Sequence, residues 1–510
     1  MSDESPSHPT AGPEQAAAGQ EPRGAGGTRR RRGLASKIEQ HSIEWIPDSE
    51  RHGKVWYQPI LWFLGNFQFS TIALGFVGPL LGLSLLWTFV SAALGILIGT
   101  FFMAFHASQG PKLGLPQMIQ SRAQFGYRGV IVPMVAVLVT YVSENIINQV
   151  LISSGVAGSF GVNATVAAII AAILAVVLAV FGHDWVHRAF QALLAVTLPL
   201  MLAISAGIVF GFAGGGATHV TAHYGFSAVG FMAELATAIA YNITYAVYVS
   251  DYSRYLPRRT PNAAIIGSVF GGAALSPIWL IPMGAWMAIH AGNSTDALLG
   301  LKVAGNNVIP FIGSITAWLS VLALVAVNAM NAYGASICLL TSVDSFRAIK
   351  PGRMARVAAL VLVGVAWYVI GANVSGGAVN TLFTIFTLLL YLLIPWTATN
   401  LVDFFLVRKG KYSILDIFRP AGIYRVWNWR GLVAYACGIA AEIPFMVLPA
   451  PIGYTGVAAR QISSTDISWV VGLSVASLVY WIVTRSLDLT AELPAVAASE
   501  AKLASGARVL

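Results

Sequence analysis

The residue with the greatest chemical leverage in this chain is a carboxylic acid inside an apolar run. Glu144 stands in Tyr141-Val142-Ser143-Glu144-Asn145-Ile146-Ile147-Asn148, about halfway along a stretch that holds no other charge. At the centre of a bilayer an acid costs roughly 2.5–3.5 kcal/mol, so it must face a cavity or a polar partner. There it can accept hydrogen bonds from a ligand, or take up and release a proton; the plainer alternative is a hydrogen bond to a neighbouring helix. Asn148 lies four residues further on and shares the same helix face. A second amide pair, Asn328 and Asn331 in Asn328-Ala329-Met330-Asn331-Ala332-Tyr333-Gly334, sits three apart. Each amide can donate and accept, which suits a neutral planar ligand edged with both kinds of group, or serves as glue between helices.

Two further stretches carry polar and glycine residues at mid-depth. One is Leu64-Gly65-Asn66-Phe67-Gln68-Phe69-Ser70-Thr71. The other is Tyr241-Asn242-Ile243-Thr244-Tyr245, shortly before Asp251-Tyr252-Ser253-Arg254-Tyr255. Carriers built from internal repeats hold substrate near the midplane on helices that break there, where the freed backbone groups line a cavity.

These residues need helices to position them, and composition supplies the setting. Of 510 residues, 56% are hydrophobic and only 10% charged, against roughly 25% charged in soluble domains. A crossing helix needs roughly 20 apolar residues. Such runs fall at 57–83, 85–105, 130–156, 163–181, 190–212, 227–250, 262–289, 315–340, 357–372, 380–402, 431–449 and 467–484. The fold class is therefore an all-α membrane protein of about twelve transmembrane helices. The two breakable stretches fall in spans 1 and 6, the separation that a 5+5 repeat would give.

The loops after spans 2, 4, 6, 8 and 10 all carry Lys or Arg, whereas the opposite loops hold only Lys302 and Arg460. Cations are retained on the cytoplasmic side, so both termini are expected there, in a plasma (cytoplasmic) membrane. Residues 1–36 are rich in Pro, Gly, Ala and charge and end near Arg29-Arg30-Arg31-Arg32. That composition reads as a disordered cytoplasmic tail whose Arg run faces anionic lipid rather than nucleic acid. Residues 37–486 form the transporter domain, and 487–510 a cytoplasmic C-terminal tail.

Several other chemistries lack their residues. Cys338 and Cys437 are the two cysteines, with no CxxC or disulfide framework. No GxxxxGK[ST], HExxH or GxSxG occurs. No cofactor and no metal site is expected; His183, Asp184 and His187 read as loop residues. Glu234 and Glu442 fall nearer the outer ends of their spans and are read as water-reachable structural acids. An intramembrane enzyme using Glu144 would need a second catalytic group at the same depth, so the expected class is a secondary carrier, not an enzyme.

Longer blocks identify a resemblance. Trp62-Phe63 to Gly75, Gln109-Gly110-Pro111-Lys112-Leu113-Gly114-Leu115-Pro116-Gln117-Met118-Ile119-Gln120-Ser121-Arg122, Val249-Ser250-Asp251-Tyr252-Ser253-Arg254-Tyr255-Leu256-Pro257, the Asn328/Asn331/Tyr333 block, and Pro395-Trp396 to Asp403 with Lys411-Tyr412 resemble the nucleobase:cation symporter family, in its purine–cytosine permease branch. The resemblance implies a leucine-transporter-type fold, with spans 1–5 and 6–10 as inverted repeats and two peripheral helices. It implies a symporter importing a nucleobase-like heterocycle such as cytosine or a purine, coupled to a proton or sodium. The implied substrate contacts are Gln68, Asn148, Tyr245, Asn328 and Asn331.

The chain also departs from the family. Glu144 stands where an aromatic is usual, and Tyr245 where Trp is usual. A carboxylate accepts from amino groups, so the expected substrate carries an exocyclic amine or a positive charge. An amine, amino-acid or cationic-vitamin carrier of the same fold is the alternative. Sodium-coupled relatives place hydroxyls on span 8 shortly before the Asn pair; here Leu322-Ala323-Leu324-Val325-Ala326-Val327 offers none. Glu144 is then both a substrate contact and the candidate for proton coupling.

Overall fold

The computed structural model describes residues 44–181, 183–214, 224–290, 296–347, 353–374, 377–449 and 452–505. The N-terminal tail with its Arg run lies outside them.

Twelve helical segments fill the twelve apolar runs. Span 1 is Tyr57–Asn66 followed by Phe69–Leu74 and Val77–Leu80. Spans 2 to 5 are Leu85–Ala107, Ile131–Phe160, Ala164–Phe181 and His183–Val209. Span 6 is Ala228–Ala246 followed by Val249–Ser253, and span 7 is Asn262–His290. Spans 8 to 10 are Ile312–Asp344, Arg353–Ala372 and Ala378–Leu401. Spans 11 and 12 are Trp429–Glu442 and Ser468–Thr484. Eight of these are long and apolar enough to cross a bilayer unaided, and span 1 qualifies as a pair bent by 59°. His183 and His187 fall inside the span 5 helix, not in a loop.

The packing carries the repeat. Span 1 lies on span 7 and span 6 on span 2; span 4 lies on span 8 and span 9 on span 3. Exchanging each helix for its counterpart five places away in the other half turns one pair into the other (1 into 6 and 7 into 2; 4 into 9 and 8 into 3), as two related five-helix halves require. Glycines let the backbones meet. A Cβ at Gly284 would sit 1.9 Å from the Ile72 carbonyl oxygen, and one at Gly75 would sit 2.0 Å from that of Ile281. Close approach of this kind substitutes for the hydrophobic drive that lipid does not supply. Gly284→Ala is therefore expected to lower the melting temperature of the detergent-purified protein, with an overpacking cost of about 1–3 kcal/mol. Gly267→Ala on the same helix meets nothing within 4 Å and should leave the melting temperature unchanged or slightly raised.

Both acids read as water-reachable are fully buried. Glu234 accepts from the Gly78 backbone N–H at 2.8 Å, filling a donor freed where span 1 is interrupted. Glu442 is packed against Gly472 of span 12, where any larger residue would strike its carboxyl group. Depth along the helix suggested water; close packing against a neighbouring span removes it.

The C-terminal segment holds a further helix, Leu489–Ala504, turned 90° from span 12. Its Glu492 makes two bonds of 2.9 Å to Arg408, which also meets Asp403 at 2.6 Å. Asp403 sits in a π-helical turn, Val402–Val407, that ends span 10. It also accepts from Gln124, Tyr412 and Tyr480 at 2.6, 2.7 and 2.9 Å.

Candidate substrate site

Span 1 breaks at Phe67-Gln68, where Gln68 is fully extended (φ −142°, ψ 165°). The freed carbonyls are taken up locally. Thr71 Oγ1 donates to Asn66 O at 2.6 Å, while Gly65 O accepts from Gln68 Nε2 at 3.0 Å and from Tyr245 Oη at 3.2 Å. Asn66 itself is pinned by Nδ2 bonds to Asn242 Oδ1 (2.8 Å) and Ala273 O (2.7 Å), tying the break to spans 6 and 7. Span 6 breaks at Val247-Tyr248, between its two polar stretches, and Tyr241 to Tyr245 remain helical.

The Gln68 amide is oriented by these partners. Its Nε2 lies within hydrogen-bond reach of Gly65 O and of the hydroxyls of Tyr241 (3.0 Å) and Tyr245 (2.7 Å), three acceptors sharing two N–H groups, while Oε1 is buried with no partner. A carbonyl oxygen cannot donate, so the nitrogen must face Gly65 and the oxygen is the atom left for a ligand.

Gln68, Glu144, Tyr245 and Asn331 line one small compartment, together with Tyr141, Tyr248 and neighbouring residues. Its free volume is about 10 Å³, room for about one water. It adjoins a larger cavity of about 360 Å³, which shares Gly65, Gln68, Tyr245, Tyr248 and Met330 with it. The larger cavity runs along span 1 to the half-exposed Tyr57 and Ile60, and along span 5 to Gln191. That end lies on the face of the basic loops. Its walls are mostly apolar, with Leu64, Phe67, Ala323 and Met201 among them. Ser320 adds a buried hydroxyl without a partner.

Asn148 and Asn328 are placed beside this compartment rather than on it. Asn148 Nδ2 donates to Asn328 Oδ1 at 2.9 Å, and Asn145 Nδ2 to Asn328 O at 3.2 Å, so these amides join span 3 to span 8. Of the aromatic lining, the sequence singles out Tyr245 and not its neighbours. Tyr141 and Tyr248 lie nearly parallel, with centroids 5.6 Å apart and planes at 21°. Trp62 meets Tyr245 and Tyr252 edge-on at 5.9 and 5.5 Å. The tyrosines recur at positions 241, 245, 248 and 252, a helical spacing that could have announced one aromatic face. Gly334 makes room for the Tyr141 ring, since a Cβ there would come within 2.7 Å of it. Gly334→Ala should push that ring into the compartment and raise KM for uptake roughly two- to tenfold, the equivalent of 0.5–1.5 kcal/mol of ring packing, with melting temperature little changed.

A family model described as permease for cytosine/purines, uracil, thiamine, allantoin matches residues 45–472. The chain belongs to this family. It is thus an integral membrane permease and not an enzyme. YxlA of Bacillus subtilis (strain 168), named as a candidate purine–cytosine permease, is 30% identical over 456 residues, covering 88% of this chain and 96% of its own. The purine–cytosine permease FCY2 of Saccharomyces cerevisiae is 26% identical over 300 residues, 56% of this chain and 52% of its own. Among solved structures, Mhp1, a nucleobase-cation-symport-1 family transporter, is similar in two forms. The closed form with bromovinylhydantoin bound has a TM-score of 0.65 at 17% identity, covering 89% of this chain and 96% of its own. The inward-facing form has 0.66 at 18%, covering 92% and 97%. At that identity the likeness concerns the fold, and it agrees with twelve helices, made of two inverted five-helix halves and two peripheral helices.

Proposed function

We propose that this permease is a proton-coupled symporter that imports a nucleobase-like heterocycle bearing an exocyclic amine, such as cytosine or an aminopurine. The observation that carries the reading is the pairing of two acceptors in one compartment: the carboxyl group of Glu144 and the unpartnered Oε1 of Gln68. A ring edge with N–H donors satisfies both, whereas a ring edge of carbonyls leaves them facing like groups. Tyr141, Tyr245 and Tyr248 offer faces for stacking, and Asn331 an amide. Asn148 and Asn328 then act by holding spans 3 and 8 in register around the ring.

Proton coupling draws support from what surrounds the span 1 break. A sodium ion wants several oxygen ligands, and the span 8 residues nearest the Asn pair, Leu322 to Val327, carry none on their side chains. Glu144 can carry the proton instead. The basic loops support tails on the cytoplasmic side, which makes the larger cavity an inward-facing vestibule.

A thermal-shift screen of the purified protein against nucleobases tests the substrate class, because a ligand raises apparent stability by mass action. Cytosine or adenine should raise the melting temperature with or without sodium, and uracil should not. Uptake that stops in sodium-free buffer yet ignores a proton uncoupler would overturn the coupling. Stabilisation by uracil alone would overturn the amine preference.

A further inference from the structure

Resting on the reading of this compartment as the substrate site, we infer that Glu144 takes its counter-charge from a proton or from a substrate cation, one at a time. The same carrier then moves an uncharged base together with a proton, and an aromatic heterocycle with a fixed positive charge in place of that proton.

Three observations meet here. First, no Lys, Arg or His is among the described residues lining either compartment. The ionisable groups around Glu144 are an acid, phenols and a thiol. Span 3 adds Tyr141; span 6 adds Tyr241, Tyr245 and Tyr248, with Tyr252 and Asp251 beyond them; span 8 adds Cys338 behind Tyr141. A carboxylate at this depth must be neutralised before a substrate displaces its water, and the described lining supplies no cation to do it. Second, the rings flanking the carboxyl group form a partial cage. Tyr141 and Tyr248 are stacked, Tyr245 stands at 69° to Tyr248, and Trp62 closes the side beside Tyr245. Faces of Tyr and Trp attract a ring cation. Third, Gln68 commits its nitrogen to Gly65 O and leaves its buried Oε1 without a partner, adding a second partial negative charge and no positive one.

At the site the charges balance. When a fixed cation enters, the O–H bond of protonated Glu144 breaks and its proton passes to water on the side from which the cation came. The carboxylate that remains pairs with the cation, so the occluded site stays neutral. An uncharged base enters beside protonated Glu144, crosses with that proton and is released with it. In both cases the empty site refills with water and returns with Glu144 ionised, so the base moves with one proton and the cation with none.

The test is binding to the purified wild-type protein in weakly buffered solution with a pH-indicator dye. Thiamine and the N-methylnicotinamide cation serve as fixed cations, cytosine and adenine as uncharged probes. A cation should release about one proton per site, and its affinity should fall towards tenfold per pH unit on the acid side, as one-proton competition requires. Cytosine should release none. Glu144→Gln should abolish release by any cation that still binds. A cation that binds without proton release, or failure of both cations while cytosine or adenine binds, overturns the exchange and leaves the substrate reading standing. If none of the four binds, the substrate reading itself fails.

Discussion

Glu144→Gln is expected to abolish proton-driven accumulation of an amine-bearing base and to cut its affinity by roughly two- to tenfold, because a hydrogen bond between uncharged partners is worth about 0.5–1.5 kcal/mol. It should also flatten the pH dependence of uptake. In the wild type, uptake of an uncharged base rises as external pH falls, since the loaded carrier includes a proton taken from that side. An amide keeps the shape of the side chain and most of its packing but cannot bind or release that proton. Proteoliposome uptake across a series of external pH values measures both effects. A variant that keeps the wild-type pH profile would remove Glu144 from the coupling path, even if its KM changed.

The second large effect lies far from the compartment. Arg408→Leu should lower stability by about 3–5 kcal/mol, the cost of leaving buried charges uncompensated. Both carboxylates it serves are inside: the side chains of Arg408, Asp403 and Glu492 are only 3%, 0% and 10% exposed. Glu492→Ala removes one of two acids and the strongest seat of the C-terminal helix, yet leaves Arg408 bonded to Asp403, so its loss should be smaller. Melting temperatures of the two variants in one detergent give the order directly. Equal and negligible losses would mean that the triad is matched in strength by water.

The sequence by itself determined the class of molecule. Twelve apolar runs, a charge asymmetry across the loops and a lone acid at mid-depth follow from the transfer free energy of each residue, a property that needs no neighbour. The motif blocks likewise pointed to the permease family before any fold was in view; the resemblance implied Gln68, Asn148, Tyr245, Asn328 and Asn331 as contacts, and Glu144 stood out by the cost of an acid at that depth. Which way each helix turns was decided only by tertiary packing. Asn148 and Asn328 have the same residue types and depth as Asn331, but they face one another because span 3 and span 8 cross at that point. Glu234 and Glu442 stand near span ends, yet a freed backbone donor on span 1 and a glycine on span 12 enclose them. The aromatic cage and the docked C-terminal helix arise in the same way. Hydropathy is a sum along one chain, whereas the rotation of a helix about its axis is set by the surface of another helix distant in sequence.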